Sequence, residues 1–249
     1  MASPVTNWKL LSMQNWRCGE MGKRKGLFQL HPEHPYVILC EGRDEELFLR
    51  YYLEYLVAEK LVPDLFNIID LGGNEEMKKT LPLFSSLDYF DQMKGFLIVR
   101  DAETNAAGAA QSIQRTMNTS FSISVSITGE FVKNQDGMHF GFVLLPGKKE
   151  DGNFYDGTLE DLCCDILARE DDKTSGFDLL GIADSYVKGI EEKRKKRFRT
   201  IHKNRLHAYL SGTDDFVGLK IGEAARARCF DFSSEALEFL KDAVVQLSS

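Results

Sequence analysis

The chain has 249 residues, 43% of them hydrophobic and 28% charged, with a formal net charge of −7 at pH 7. This is the composition of a soluble globule with room for one large α/β domain, or one domain with an appendage. It excludes a membrane span, because no apolar run approaches the roughly 20 residues a span needs, and the acidic balance at first argues against a nucleic-acid partner.

From the N-terminus, residues 1–35 show weak periodicity and a basic Gly-Lys-Arg-Lys-Gly turn, and read as a lead-in arm. Asn7, Trp8 and Lys9 interrupt any secretory apolar segment, so a cytoplasmic protein is expected. His31 and His34 have H-x-x-H spacing but sit in a Pro-flanked loop, which suits solvated residues better than ligands. Tyr36–Cys40 reads as a strand, Glu41-Gly42 as a turn, and Leu47, Phe48, Tyr51, Tyr52 and Tyr55 then recur at helical spacing. The run FNIIDLGG is a second strand closed by Gly72-Gly73, and a helix is predicted from about Asn74 to Leu87. The apolar stretch Phe96–Val99 predicts a third strand ending at Asp101, followed by a helix to about Met117. HFGFVLLPG supplies a further strand, and DGTLEDLCCDILARE a turn entering a helix.

Alternating strands and helices predict a doubly wound parallel sheet, whose ligand site lies beyond the carboxyl ends of its strands. Glu41, Asp101 and Glu103 fall on that rim. After about Ser175 the chain reads as helical: one or two helices over GFDLLG…YLSG, then an amphipathic terminal helix capped by Ser233 or Ser234. This tail is expected to pack on the sheet. Five cysteines without a C-x-x-C pair point to buried thiols, not to a disulfide framework or a zinc site.

The charge is unevenly spread. Between Lys193 and Arg205 the sequence KRKKRFRTIHKNR holds Lys193, Arg194, Lys195, Lys196, Arg197, Arg199, Lys203 and Arg205 and no acid. A basic stripe on an acidic body suits a surface that tracks phosphates beside a metal site; the competing reading is a solvated helix face. Carboxylates gathered at a strand rim repel one another unless a cation joins them, and Mg²⁺ or Mn²⁺ takes oxygen ligands there. Acids at positions i and i+2 point to the same side of a strand, and a glycine after Glu41 would let a metal or phosphate approach the backbone.

These residues resemble the Toprim domain, the metal-binding fold of topoisomerases, bacterial primases and OLD-family nucleases. VILCEGRDEELF resembles the strand-Glu-Gly signature at Glu41-Gly42, and LIVRDAET the strand-Asp-x-Asp signature, with Glu103 replacing the second Asp. The resemblance covers about residues 36–165 and is closest to OLD-like nucleases and small stand-alone Toprim-like proteins. It implies a Toprim-like (Rossmannoid) parallel sheet flanked by helices, with a catalytic core at 36–170 and a mostly helical C-terminal extension at 171–249.

The resemblance further implies metal-dependent phosphodiester hydrolysis. Glu41, Asp101 and Glu103 would hold one Mg²⁺ or Mn²⁺, and Glu45 and Glu160, the latter followed by Asp161, would complete a second site roughly 4 Å away. Lys203 would contact a phosphate or the transition state, and Lys193, Arg194, Lys195, Lys196, Arg197 and Arg199 would hold a nucleic-acid backbone, DNA in preference to RNA. No G-x-x-x-x-G-K-[ST] motif occurs, so an ATPase partner would be a separate subunit. A homodimer is the family-level expectation, and the setting implied is defence against foreign DNA or repair. Because Glu103 reaches one methylene further than Asp, a degenerate Toprim module that binds without cutting is the alternative. IVRDAET also resembles the Asp-x-Asp-x-Thr strand of haloacid-dehalogenase-like phosphatases, although that motif belongs on a first strand. A signalling receiver domain would gather acids too, but leaves the basic tail unexplained. An Asp101 that merely caps the helix beginning near Asn105 is a further structural reading.

Overall fold

The computed structural model describes His31 and residues 33–84, 90–174 and 178–249. The N-terminal arm with its basic turn and Cys18 therefore lie outside the described residues, apart from the segment next to β1. Five strands form one sheet: β1 (Tyr36–Cys40), β2 (Phe66–Asp70), β3 (Gly95–Asp101), β4 (Val132–Lys133) and β5 (His139–Leu145). Their order is β2-β1-β3-β5-β4, parallel throughout except for β4, which runs antiparallel on the edge. The central strands are wholly or almost wholly buried, as expected where helices cover both faces of a parallel sheet.

Helix α1 (Arg43–Ala58) covers one face, and α2 (Asn74–Phe84) and α3 (Ala106–Phe121) cover the other. The strands alternate their side chains accordingly. Val37, Leu39, Phe96, Ile98, Phe140 and Phe142 pack on Met77, Leu81, Phe84, Ile113 and Met117. Phe96, Phe121 and Phe140 form a triangle of mutually touching rings, with centroid distances of 5.3–5.6 Å. On the opposite face Ile38, Cys40, Leu97, Val99 and Val143 meet Phe48, Leu49 and Tyr52 of α1 together with the C-terminal half of the chain. Each such buried side chain contributes about 1.5–3 kcal/mol of hydrophobic stabilisation.

The C-terminal half consists of α4 (Leu159–Thr174), α5 (Leu179–Arg194), α6 (Ile201–Ser211), α7 (Ile221–Arg226) and α8 (Glu238–Leu247). Helix α8 lies on β3 and β5: a Cβ added at Gly95 would meet Leu247 Cδ1 at 2.6 Å, and His139 Nδ1 is 3.2 Å from the Gln246 carbonyl. The expected boundary at residue 170 falls inside α4.

Several boundaries shift. Helix α2 is described to Phe84, with residues 85–89 outside the description, and α3 continues past Met117 until Ser122 adopts a left-handed conformation. The predicted one or two helices of the tail are two, broken where Lys195 turns left-handed at φ 52°. Ser234, not Ser233, supplies a cap, and it caps a 3₁₀ turn over Glu235–Leu237 ahead of α8. Cys40, Cys163, Cys164 and Cys229 are buried thiols, and His31 and His34 belong to the loop before β1, with His34 Nδ1 3.1 Å from the Phe66 carbonyl.

Candidate active site at the carboxyl ends of β1 and β3

From β1 the chain crosses to β2 on one side and then returns past β1 to β3 on the other. The crevice between β1 and β3 is thus the switch point at which doubly wound sheets place ligands. Strand β3 is the longer: Cys40 pairs with Val99, while Arg100 and Asp101 continue beside Leu144 and Leu145 of β5. Side-chain alternation sends Arg100 to the α2/α3 side and Asp101 to the α1/α4 side.

On the first side, Arg100 Nε lies 3.4 Å from Glu41 Oε2. The turn after β2 is tied to the same strand end, with Gly73 N–H donating to the Glu41 carbonyl at 2.6 Å. Burial pushes the Glu41 carboxyl above the usual carboxylate range; Arg100 and the Asn74 N–H at the start of α2 oppose this, and Glu103 reinforces it. Glu41 Oε2, Arg100 Nε and Arg100 Nη1 are buried, yet none has a hydrogen-bond partner among the described residues. Their contact is an ion pair without hydrogen-bond geometry.

On the second side, Asp101 Oδ1 accepts the Leu159 N–H at the start of α4 at 2.9 Å. That bond and the positive helix end favour its charge, but burial, Glu45 and Glu160 outweigh them and push its carboxyl up to about 9. Glu45, in the first turn of α1, is also raised, chiefly by burial and then by Glu160 and Glu41. Glu160, in the first turn of α4, is 6% exposed and sits 3.3 Å from Lys203 Nζ on the first turn of α6. Lys203 is raised in turn, first by Glu160 and also by Asp101 and Glu45.

Four expected site acids, Glu41 after β1, Glu45 in α1, Asp101 in β3 and Glu160 in α4, are thus electrostatically coupled, with Lys203 beside them. Glu103 leaves the strand. The strand ends at Asp101, and Glu103 turns left-handed (φ 55°) to exchange backbone hydrogen bonds of 2.8 and 2.7 Å with Gly157. Its side chain is exposed, so it does not share a strand face with Asp101, although its charge is felt by Glu41. Asp161 turns to its own helix end, accepting the Thr158 N–H at 3.0 Å.

At Gly42 the backbone is extended, and a Cβ there would meet Glu45 Oε2 at 2.9 Å, so the absence of a side chain leaves that carboxylate its place. The capping reading of Asp101 is correct in kind but names the wrong helix: Asn105 and Asp156 satisfy the start of α3, and Asp101 serves α4. Arg100 is the residue that sequence reasoning missed. A charged side chain inside a strand otherwise wholly apolar is costly unless paired, and that was the available signal.

Lys193 and Arg194 close α5, favourably for its dipole, and Lys195, Lys196, Arg197 and Arg199 form the exposed connection to α6. Arg199 is four residues from Lys203, which bounds their Cα separation to about 14 Å. Arg199, the last cation of the basic segment, therefore lies within that distance of Lys203.

No group of three or more His, Cys, Asp or Glu side chains among the described residues is already arranged to hold a metal ion. The donor chemistry nevertheless suits a hard divalent cation: oxygen ligands only, crowded enough to hold protons, and one buried carboxylate oxygen without a hydrogen bond.

Fold and rim define an α/β protein with a doubly wound sheet and a carboxylate cluster at its switch point. The chain belongs to the family described as "Protein of unknown function (DUF3226)", whose model matches residues 35–248. No curated protein and no solved structure matches it. Among the described residues no helix is long and apolar enough to cross a membrane.

Proposed function

We propose that this protein is a Toprim-like nuclease that hydrolyses phosphodiester bonds with Mg²⁺ or Mn²⁺ in the cytoplasm. The observation that carries the reading is the convergence of Glu41, Glu45, Asp101 and Glu160 at the β1/β3 switch point, with their charge incompletely balanced and a lysine and a basic loop beside them. Glu41, Glu45, Asp101 and Glu160 are the residues that would hold the metal. When bound, such an ion supplies Lewis-acid polarisation of a phosphoryl oxygen. Lys203 presents a positive charge to a phosphate entering over Glu160, and residues 193–199 hold the backbone on either side without reading bases. Glu103 lies on the Glu41 side of the cluster, where its charge raises the Glu41 carboxyl. An ATPase that regulated cleavage would be a separate chain.

The experiment is cleavage of supercoiled plasmid, single-stranded DNA and RNA with Mg²⁺ or Mn²⁺, using wild type, Glu41→Gln and Asp101→Asn. Metal-dependent cutting lost in both variants supports the nuclease; cutting retained in both refutes it.

One observation favours a second reading, a module that binds without cutting. Arg100 and Lys203 already pair with Glu41 and Glu160, which is how a rim that never takes a metal would be neutralised. A melting temperature that rises with Mn²⁺ in wild type but not in Asp101→Asn argues for a metal site; no response to any divalent ion favours the module.

A further inference from the structure

Between α5 and α6 lies an open groove of about 550 Å³ that the acid rim does not use. Its α5 wall presents Ile182 and Tyr186, one helical turn apart and 51% and 63% exposed, which is unusual for large apolar side chains. Phe198, at the end of the basic connection, forms one end, with the Arg194 guanidinium 5.1 Å from its ring centroid. Its α6 wall adds Asn204 and His207, two side chains that can donate and accept hydrogen bonds.

Two features tie this groove to nucleic acid. Phe198 brings the basic segment 193–199 to one part of its lining, where the Arg194 guanidinium lies over the ring, so an apolar, aromatic floor meets phosphate-complementary charge there. Its α6 wall is also the helix that carries Lys203: Asn204 is the next residue, and His207 lies four positions on, about 6 Å along the axis. A strand lying in the groove would thus run directly to the cation that faces Glu160. Ring faces beside a basic track suit unpaired bases, because every base has a π-face to stack and duplex bases do not expose theirs.

We propose that the α5/α6 groove is a binding subsite for single-stranded nucleic acid, in which bases stack on Tyr186 and Phe198 while residues 193–199 hold phosphates. The proposal rests on reading the acid rim as a nuclease centre, and specifies its substrate as a single strand.

The test is fluorescence anisotropy of the full chain with labelled 20-nucleotide oligo-dT, oligo-U and a duplex of equal length, in EDTA so that no cleavage intervenes. Both single strands, or one of them, should bind at least about tenfold tighter than duplex, and the two oligomers separate DNA from RNA. Tyr186→Ala should weaken single-strand binding roughly 5- to 100-fold and leave duplex binding unchanged. Tyr186 is mostly solvent-exposed, so the fold should tolerate the change. The pair Lys195→Glu and Arg197→Glu should weaken both ligands and flatten the salt dependence. Equal binding of duplex, or a Tyr186→Ala protein with unchanged single-strand affinity, overturns the subsite. So does sedimentation showing a dimer that Tyr186→Ala dissociates, because the groove is then a protein interface. Single-strand binding that needs Tyr186, with no cutting under any divalent metal, retires the nuclease and keeps the groove; cutting indifferent to Tyr186→Ala does the reverse.

Discussion

The two halves of the acid rim are balanced by cations of opposite character. Glu41 faces Arg100, which is 8% exposed and fixed in β3, whereas Glu160 faces Lys203, whose side chain is 55% exposed and reaches in from α6. A guanidinium held in a central strand is part of the fold. An ammonium on a flexible, solvated stem can leave when another cation or a phosphate competes for its place. The rim therefore combines one permanent counter-charge with one exchangeable one, and the exchangeable one lies on the side of the basic loop.

The largest expected effect lies on the carboxylates themselves. Asp101→Asn and Glu41→Gln should each lower metal-dependent cleavage by about 10³-fold or more, since a lost metal contact removes several kcal/mol of transition-state stabilisation. Rates within tenfold of wild type would remove both residues from the chemistry.

Next comes Arg100. Arg100→Met leaves Glu41 largely buried beside Glu103 with its fixed partner gone, and should destabilise the protein by about 3 kcal/mol, or ~6–12 °C in melting temperature. Adding Glu41→Gln should restore much of that loss, because the orphaned charge disappears. Strictly additive effects in the double mutant would show that Arg100 is not a counter-ion.

Asp101→Asn should also act on stability, in the opposite direction. It keeps the acceptor for the Leu159 N–H and needs no proton to stay neutral, whereas Asp101 must hold one that the unfolded chain releases, so without metal near neutral pH a gain of at least about 1–2 kcal/mol is expected. The pH dependence follows. A native carboxyl pushed up to about 9 keeps a proton that the unfolded chain releases near its ordinary value. Wild-type stability is therefore fully present at acid pH and falls as pH rises through that range toward 9. Glu41 and Glu45, both raised, act in the same sense. Melting curves from pH 5 to 9 should show wild type losing stability relative to Asp101→Asn; parallel curves would contradict the proton assignment.

The smallest effect belongs to Lys203. Lys203→Met should cost less stability than Arg100→Met, because the ammonium it removes is already mostly solvated and water can take its place beside Glu160. It should nonetheless tighten Mn²⁺ binding, read by titration of the melting temperature, by releasing Glu160. A loss of several kcal/mol would make Lys203 as structural as Arg100 and erase the contrast.

Much of the architecture was legible because it depends on local pattern. Apolar runs at Tyr36–Cys40, Phe96–Val99 and Phe140–Leu145 identify central parallel strands, and Phe48 and Tyr52 of the predicted α1 stripe are buried, whereas Leu47, Tyr51 and Tyr55 are half-buried and Leu49, Leu53 and Leu56 complete the buried face. Glu41 and Asp101 were legible as rim residues because strand ends in such sheets share an edge. Only the strand face of Glu103 was misread, since alternation was extended two residues past the end of β3. The left-handed turn that removes it from the strand is held by hydrogen bonds to Gly157, 54 positions along, which no local pattern encodes. Arg100 hid in the same way: its partner is 59 residues upstream.

By itself the sequence determined the order of strands and helices other than β4 and α7, the acids that end β1 and β3, the buried thiols and the basic segment before α6. Periodicity, turn residues and charge runs act between near neighbours, so they survive being read in one dimension. Only the tertiary structure decided that Asp101 receives a hydrogen bond from α4, that Arg100 answers Glu41, that Gly42 makes room for Glu45, and that Lys203 reaches Glu160. Those relations depend on strand register and on which helices cover which face, and both are set by packing over the whole chain.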